Sequence, residues 1–296
     1  MTRVELDGRE VALTNLEKVL WPETGFTKGQ MIEYYVAVAP VLLPHLEGRP
    51  LTVRRFPDGI GGPSWHQNEC QGEPDWFPVH ETRGLEGRRL RFCMVDGLAA
   101  LVWLASQAAV ELHPFLWRVE APREPTQVVF DLDPGPPAGL VEAARVALAL
   151  RPLLEELGLE PHAKTSGSLG LHVHAPLPEP ADTKRLAREF AARLAALDPL
   201  VVPEVRRAAR AGKVYVDWLQ NDPSRQTVAP YSLRGLPWPT VATPVRWNEV
   251  ERAAAEGRPE LLFFTPGDVL ERVEREGDLF AALRRRGKEK DGGGGS

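Results

Sequence analysis

The segment "QVVFDLDPGP" (residues 127–136) places two carboxylates, Asp131 and Asp133, at the end of an apolar, β-branched run closed by a Pro-Gly-Pro breaker. Positions i and i+2 of a strand point to one face, with Cα atoms roughly 6.6 Å apart. The two acids therefore converge, while Phe130 and Leu132 face the other side. Anions that close repel, and each raises the other's pKa unless a cation lies between them. Mg²⁺ and Mn²⁺ favour carboxylate oxygen and keep water or phosphate as further ligands. "KVYVDWLQND" (213–222) likewise runs apolar residues into an aspartate, Asp217, with Tyr215 on its face. Three strand-end aspartates can hold two metals about 3.5–4 Å apart, the arrangement of in-line phosphoryl or nucleotidyl transfer. Spacing alone does not make these strands neighbours, and acids capping a solvated strand end are the plainer alternative.

Between the acids lies "KTSGSLGLHVHAPL" (164–177), a Gly/Ser loop from Thr165 to Gly170 that leads into a strand bearing His172 and His174. Glycines let backbone N–H groups approach phosphate oxygens, and hydroxyls and imidazole add donors. The loop is neither a Walker A nor a dinucleotide-binding pattern.

The elements that must position these groups are readable in outline. Periodicity predicts a helix from about Lys28 to about Leu46, which Pro40 and Pro44 should kink or end early. The stretch 51–70 reads as a short strand, then a loop punctuated by Gly and Pro. "RGLEGRRLRF" (83–92) packs four arginines around a Gly-centred turn, the pattern of an exposed basic hairpin. An apolar helix is expected from about Asp96 to about Ala109. From residue 126 the expected order is a strand through "TQVVFDLD", a helix at about 138–157, strands at 160–164 and 171–176, and a helix at about 181–196. Further strands are expected at 213–219 and 226–231, and two short helices in the tail. This mixture indicates an α+β (mixed α/β) domain.

Bulk properties set the bounds. The 296 residues are 43% hydrophobic and 26% charged, ordinary globular composition. A formal charge of -5 does not announce a nucleic-acid binder, although the field at a site depends on where charges lie. Cys70 and Cys93 are the only cysteines, which argues against a disulfide scaffold and suits a reducing cytosol. No apolar run approaches a membrane span. "GGGGS" (292–296) has the composition of an appended flexible linker.

Taken in order, "LTNLEKVLWP", "GRPLTVRRFPDG", "VFDLDPG", "TSGSLGLHV", "RAGKVYVDWLQND" and "VAPYSLRG" followed by "VATPVRW" resemble the polymerase domain of bacterial DNA ligase D, of the archaeo-eukaryotic primase superfamily. The likeness covers about residues 8–285. It implies one primase-polymerase domain over 1–290: a DNA 5′-phosphate-binding part at about 1–125, a metal-binding core at about 126–250 and C-terminal helices at about 251–287. It also implies template-dependent gap filling and end extension at double-strand breaks, with Mn²⁺ or Mg²⁺ and ribo- or deoxyribonucleoside triphosphates. The implied partners are 5′-phosphorylated DNA ends, the end-binding protein Ku and a DNA ligase; the implied location is the cytoplasm, at the nucleoid.

By resemblance, Asp131, Asp133 and Asp217 are the metal-binding aspartates. Ser166 and His172 belong to the triphosphate loop, and Arg54, His113, Gln220 and Arg234 line the nucleotide pocket. Trp65 and His66 occupy positions where aromatic residues stack on bases. Asn15, Lys18 and Lys28 match the pocket for the downstream 5′-phosphate. Arg206, Arg207 and Arg210 form a basic loop within reach of template or primer phosphate, and the Arg83–Arg91 hairpin is suited to hold two ends together. One position departs from the family: Leu169 stands where members commonly carry a lysine aimed at the triphosphate, with Lys164 or Lys213 as candidate replacements.

Three other readings compete. "FDLDPG" resembles the first motif of haloacid-dehalogenase-type phosphatases, although Pro134-Gly135 follows in place of Gly-Thr. A DNA-end bridging module without catalysis would need Lys18 and Lys28 but not the aspartates. A zinc site from His66, Cys70, His80 and Cys93 lacks paired Cys-x-x-Cys spacing, so buried, inert cysteines are expected.

Overall fold

Two sheets, each with one apolar and one polar face, organise the chain. The structure is a computed structural model and describes residues 2–83, 87–204 and 206–284. The tip of the basic hairpin (84–86) and the terminal linker lie outside the described residues.

The first sheet is built around Leu51–Arg55, which pairs antiparallel with Trp65–Gln67, Arg89–Cys93 and Ala109–Pro114. Strict alternation sends Leu51, Val53, Val110 and Leu112 into one core and leaves Thr52, Arg54, Glu111 and His113 on the opposite face. Helices Lys28–Leu46 and Leu98–Ser106 cover the apolar side. The first helix starts at a capping box, Thr27 with Gln30, and continues through Pro40 and Pro44 to Leu46, with no early end. The buried row of Met31, Tyr34, Tyr35, Val38 and Leu42 outweighs the roughly 3 kcal/mol that an interior proline costs. Tyr35 Oη also donates to the Val110 carbonyl at 2.6 Å, tying helix to sheet.

The second sheet has six strands in the order Val201–Val202, Val214–Asp217, Gln127–Pro134, Leu171–Pro176, His162–Thr165, Pro244–Val245. Only the first pair is parallel. Val128, Phe130, Leu132, Val173, Val214 and Val216 pack with helices Leu140–Glu155, Thr183–Leu197 and Trp247–Glu256 into a second core. The architecture is thus mixed α+β, as expected from the sequence. Its cores do not follow chain order: Ala229, Tyr231, Leu233 and Val241 join the N-terminal core.

Three expectations fail. Residues 226–231 do not form a strand: Gln226 makes one isolated bridge to Phe115, and Tyr231 has φ +67°. That left-handed residue, with Pro230 before it, breaks a ladder that would need extended backbone and a free N–H. Helix Trp247–Glu256 begins ahead of the C-terminal helices expected from about 251, with Glu249 capping its first turn at the Arg246 N–H. The cysteines are not free, because Cys70 and Cys93 form a disulfide with Cα atoms 4.8 Å apart. Both side chains are buried in the same core, and the Cys70 N–H bonds the Arg91 carbonyl at 2.7 Å, holding the loop after Gln67 against that strand. The bridge removes both as zinc ligands. Among the described residues no helix is long and apolar enough to cross a membrane.

Candidate active site between the two sheets

Strand register brings the distant acids together. Asp131 stands directly opposite Asp217, and Asp133 opposite Tyr215. On its other flank Asp131 opposes His172, which in turn opposes Lys164. Directly opposed residues share a sheet face, so one row across four strands reads Lys164, His172, Asp131, Asp217, with Asp133 and Tyr215 in the next. The apolar alternates Leu132 and Val216 lock this register, since a one-residue slip would turn every acid into the core.

Asp217 is the best-anchored acid. Its Oδ1 accepts from Tyr215 Oη and the Leu219 N–H, both at 3.0 Å, and Gln220 Nε2 lies 3.5 Å from Oδ2. Asp131 is buried, and His172 Nε2 sits 3.2 Å from its Oδ1. That contact is off the line of a hydrogen bond, so Asp131 Oδ1 stays buried without one; His172 Nδ1, on the other side of the ring, is also buried and unpartnered. Burial pushes Asp131 up to about 6, against the pull of Lys164 and Arg234. The Asp131 charge, then burial and Asp217, push Asp133 up to about 7. Burial raises Asp217 too and keeps His172 neutral.

An orphaned buried carboxylate oxygen beside two further acids that resist ionising is the environment a divalent cation relieves. Among the described residues no group of three or more His, Cys, Asp or Glu side chains is gathered so as to hold a metal ion. An open array suits Mg²⁺ or Mn²⁺, which keep places for water and phosphate. The carboxylate chemistry of the row suits such an ion, with the three acids sharing one sheet face rather than converging as a ligand set.

The Gly/Ser loop forms the next wall. Asp133, Ser166, Ser168, Leu169, Gly170 and Arg210 line a cavity of about 390 Å³. Ser166 Oγ accepts from the Ser168 and Gly170 N–H groups at 3.1 and 3.2 Å, curling the loop. Gly167 has φ +71°, and a Cβ there would lie 2.6 Å from Arg234 Cγ, so only glycine lets Arg234 cross beneath. Leu169 is 57% exposed at the mouth. Neither replacement cation lines this cavity: Lys164 is fully buried, with Nζ 3.4 Å from the Thr165 carbonyl. Arg210 is the cation in this wall. Its guanidinium lies 3.6 Å from the Tyr215 ring centroid. Gly135 makes that placement possible, because a Cβ on it would sit 2.1 Å from the Arg210 carbonyl oxygen. Arg206 is exposed one turn earlier, and the Arg207 side chain lies outside the description.

The polar face of the first sheet completes the site. Arg54 opposes both Glu111 and His66, and Thr52 opposes His113. His66, His113 and Gln220 sit in a groove of about 950 Å³ that extends toward Arg83, Arg123 and Arg225. Trp65, expected beside His66, is turned by strand alternation to the other face, where it is 44% exposed with the Arg55 guanidinium 5.7 Å from its ring centroid. Arg234 links the sheets: NH1 donates to the Ser166 carbonyl, and Nε lies 3.5 Å from Glu111 Oε2. Glu111 is the member that sequence reasoning missed. The signal was present as a lone acid in the apolar run "AAVELHP", two residues from His113 and so on its face.

The 5′-phosphate set is a separate cluster. Asn15 is exposed in a left-handed turn whose carbonyl accepts from the Lys18 N–H at 3.0 Å. Lys18 Nζ pairs with Asp58 at 3.4 Å, and buried Lys28 Nζ donates to the Thr14 carbonyl at 2.7 Å. Burial, Lys18 and Arg55 lower the Lys28 pKa, so three cations already crowd this corner.

Comparison with known proteins identifies the family. Residues 27–280 match the family model of the LigD primase-polymerase domain. The chain is 40% identical over 288 residues to the multifunctional non-homologous end joining protein LigD of Mycobacterium bovis, covering 93% of this chain and 37% of that protein. It is 30% identical over 276 residues to the bifunctional LigD of Bacillus subtilis, covering 92% and 44%. The chain thus spans less than half the length of these relatives. A solved structure, the polymerase domain of Mycobacterium tuberculosis ligase D in complex with DNA, superposes with a TM-score of 0.86 at 39% identity, covering 93% of this chain and 98% of that one. The phosphatase reading falls with these matches: the chain belongs to the LigD primase-polymerase family, a family of nucleotidyltransferases.

Proposed function

We propose that this chain fills short gaps and extends ends during double-strand break repair by non-homologous end joining, by template-dependent transfer of NTP or dNTP to a primer 3′-hydroxyl. The observation that carries the reading is the register that sets Asp131 opposite Asp217 with Asp133 in the adjoining row. Mn²⁺ or Mg²⁺ on these carboxylates would lower the pKa of the attacking hydroxyl and stabilise the leaving pyrophosphate. The new bond joins the primer 3′-oxygen to the α-phosphorus, the α–β bridging bond breaks, and the hydroxyl proton leaves to solvent.

The chain's own groups do the positioning. Ser166 and the loop it curls form the wall that faces the triphosphate, and Arg54, Arg210 and Arg234 supply guanidinium forks for its oxygens. Neutral His172 lies against Asp131 without adding charge. His66 in the groove offers a ring for stacking on a base, and Lys18, Lys28 and Asn15 receive the 5′-phosphate across the gap. Ku and a DNA ligase are the proposed partners, at the nucleoid in the cytoplasm.

Primer extension on a gapped duplex with Mn²⁺ tests the reading directly: templated incorporation supports it, and its absence with all four NTPs and dNTPs defeats it. In the same assay Lys18→Gln should weaken binding to 5′-phosphorylated gaps by about tenfold, the worth of one charge-assisted hydrogen bond, and leave 5′-hydroxyl gaps unchanged. Equal loss on both substrates would remove the phosphate assignment. Leu169→Lys adds a cation at the cavity mouth beside Ser168 and Gly170. It is expected to lower the KM for NTP by about tenfold; an unchanged KM would place the triphosphate elsewhere.

A further inference from the structure

Glu111 is a buried charge that no step above uses. It is 1% exposed, a costly location for a carboxylate unless partners saturate it. Its partners are all groups of the nucleotide pocket. Oε1 accepts from the Gly235 N–H at 2.9 Å and from Arg54 NH1 at 3.3 Å. Oε2 lies 2.9 Å from His113 Nε2 and 3.5 Å from Arg234 Nε. Each oxygen thus serves one group from the first sheet and one from the 233–235 segment. Arg234 carries the connection onward to the Ser166 carbonyl, so one carboxylate joins both walls of the site.

The contact with His113 has a second consequence. Burial pushes the Glu111 pKa up, but the His113 hydrogen bond, Arg234 and the Gly235 N–H outweigh it and hold it at about 2. Burial lowers the His113 pKa, with Glu111 pulling the other way, so the imidazole is neutral at pH 7. An ionised carboxylate only accepts, and a neutral imidazole bonded to it must carry its proton on Nε2. Nδ1 is then a bare lone pair. It makes no hydrogen bond among the described residues, and His113 lines the groove beside His66, their ring centroids 5.7 Å apart.

We infer that Glu111 is a positioning residue for nucleotide binding. It fixes the His113 tautomer so that Nδ1 accepts from a donor on the incoming nucleotide, and it sets the Arg54 and Arg234 guanidiniums on either side of the triphosphate. This rests on the groove being the nucleotide pocket. Gln at this position keeps the shape but loses the charge and one of the two acceptor oxygens.

The experiment pairs two readouts on the whole chain. A long-range ¹H–¹⁵N correlation spectrum, with the His113 signals identified by their loss in His113→Gln, should show the Nε2–H tautomer in the wild type and a mixture in Glu111→Gln. The Kd for GTP with Mn²⁺ should rise by about tenfold to a hundredfold in Glu111→Gln, with the melting temperature little changed. If Glu111→Gln does not fold, Glu111→Asp keeps the charge but withdraws it from His113 and should show the same two changes. An Nδ1–H tautomer in the wild type, or an unchanged Kd in a folded variant, overturns the inference. Wild-type protein that binds no nucleoside triphosphate overturns the polymerase reading and this inference with it; wild-type binding that the substitution leaves intact overturns this inference alone.

Discussion

Replacing Asp131 by asparagine is expected to lower primer extension on gapped DNA by about a thousandfold, or about 4 kcal/mol of lost transition-state stabilisation. Asp131 carries this weight because it is central in the row, flanked by His172 and Asp217, with Asp133 two residues on. Asparagine preserves the volume, and the strand's apolar alternates Phe130 and Leu132 are untouched, so the fold is retained. Binding of a 5′-phosphorylated gap, which depends on Lys18 and Lys28 in the separate N-terminal cluster, should change by less than about twofold, since distant sites with no shared partner act independently. That split separates the polymerase from a bridging module, which would keep its whole function. Undiminished extension by Asp131→Asn would end the metal-site assignment for this row.

The affinity for Mn²⁺ is expected to rise by about tenfold between pH 6 and pH 7, because an ion that displaces one proton gains that factor per pH unit below the proton's pKa. The sign follows from the shifts. Free aspartate ionises near 3.9, whereas Asp131 and Asp133 hold their protons to about 6 and about 7. Between about pH 4 and pH 7 the metal-free folded protein therefore binds more protons than the unfolded chain, and its stability falls as pH rises through that window. A cation reverses the balance by stabilising the ionised acids. Thermal unfolding should show Mn²⁺ raising the melting temperature more at pH 7.5 than at pH 6. Asp133→Asn removes the partner charge, and the metal-free protein should then melt higher at pH 8, by about 2–4 °C for each kcal/mol of repulsion relieved. Metal affinity indifferent to pH would show that these carboxylates are not the ligands.

Much of the local structure was legible because local rules govern it. The helix Lys28–Leu46 follows from its apolar periodicity and the Thr27 cap, and the shared face of Asp131 and Asp133 follows from the two-residue repeat of a strand. The errors lie where local rules lose to packing. Pro40 and Pro44 did not end their helix because the buried Tyr34–Tyr35–Leu42 side holds it. Segment 226–231 reads as a strand but follows the edge of the first sheet through scattered bonds, such as Ala229 N–H to the Leu112 carbonyl at 2.9 Å. The two cysteines, read as inert, meet because the segment after Trp65–Gln67 folds back onto Arg89–Cys93.

By itself the sequence determined the chemistry on offer: three strand-end aspartates, a Gly/Ser loop, and cations at spacings that resemble one polymerase family. Those are properties of residue type and near spacing, which short-range sterics and the strand repeat dictate. Tertiary structure alone decided which groups meet. Asp131 and Asp217 are 86 residues apart in the chain, and only cross-strand register makes them opposite. The same register buried Lys164, which read as a spare cation for the triphosphate, and left that place to Arg210, held there by the close approach at Gly135. It also turned Glu111, an unremarked acid in an apolar strand, into the link between both walls of the site, because the partners that make burying its charge tolerable are His113 on its own strand and groups from two distant segments, Arg54 and Arg234–Gly235.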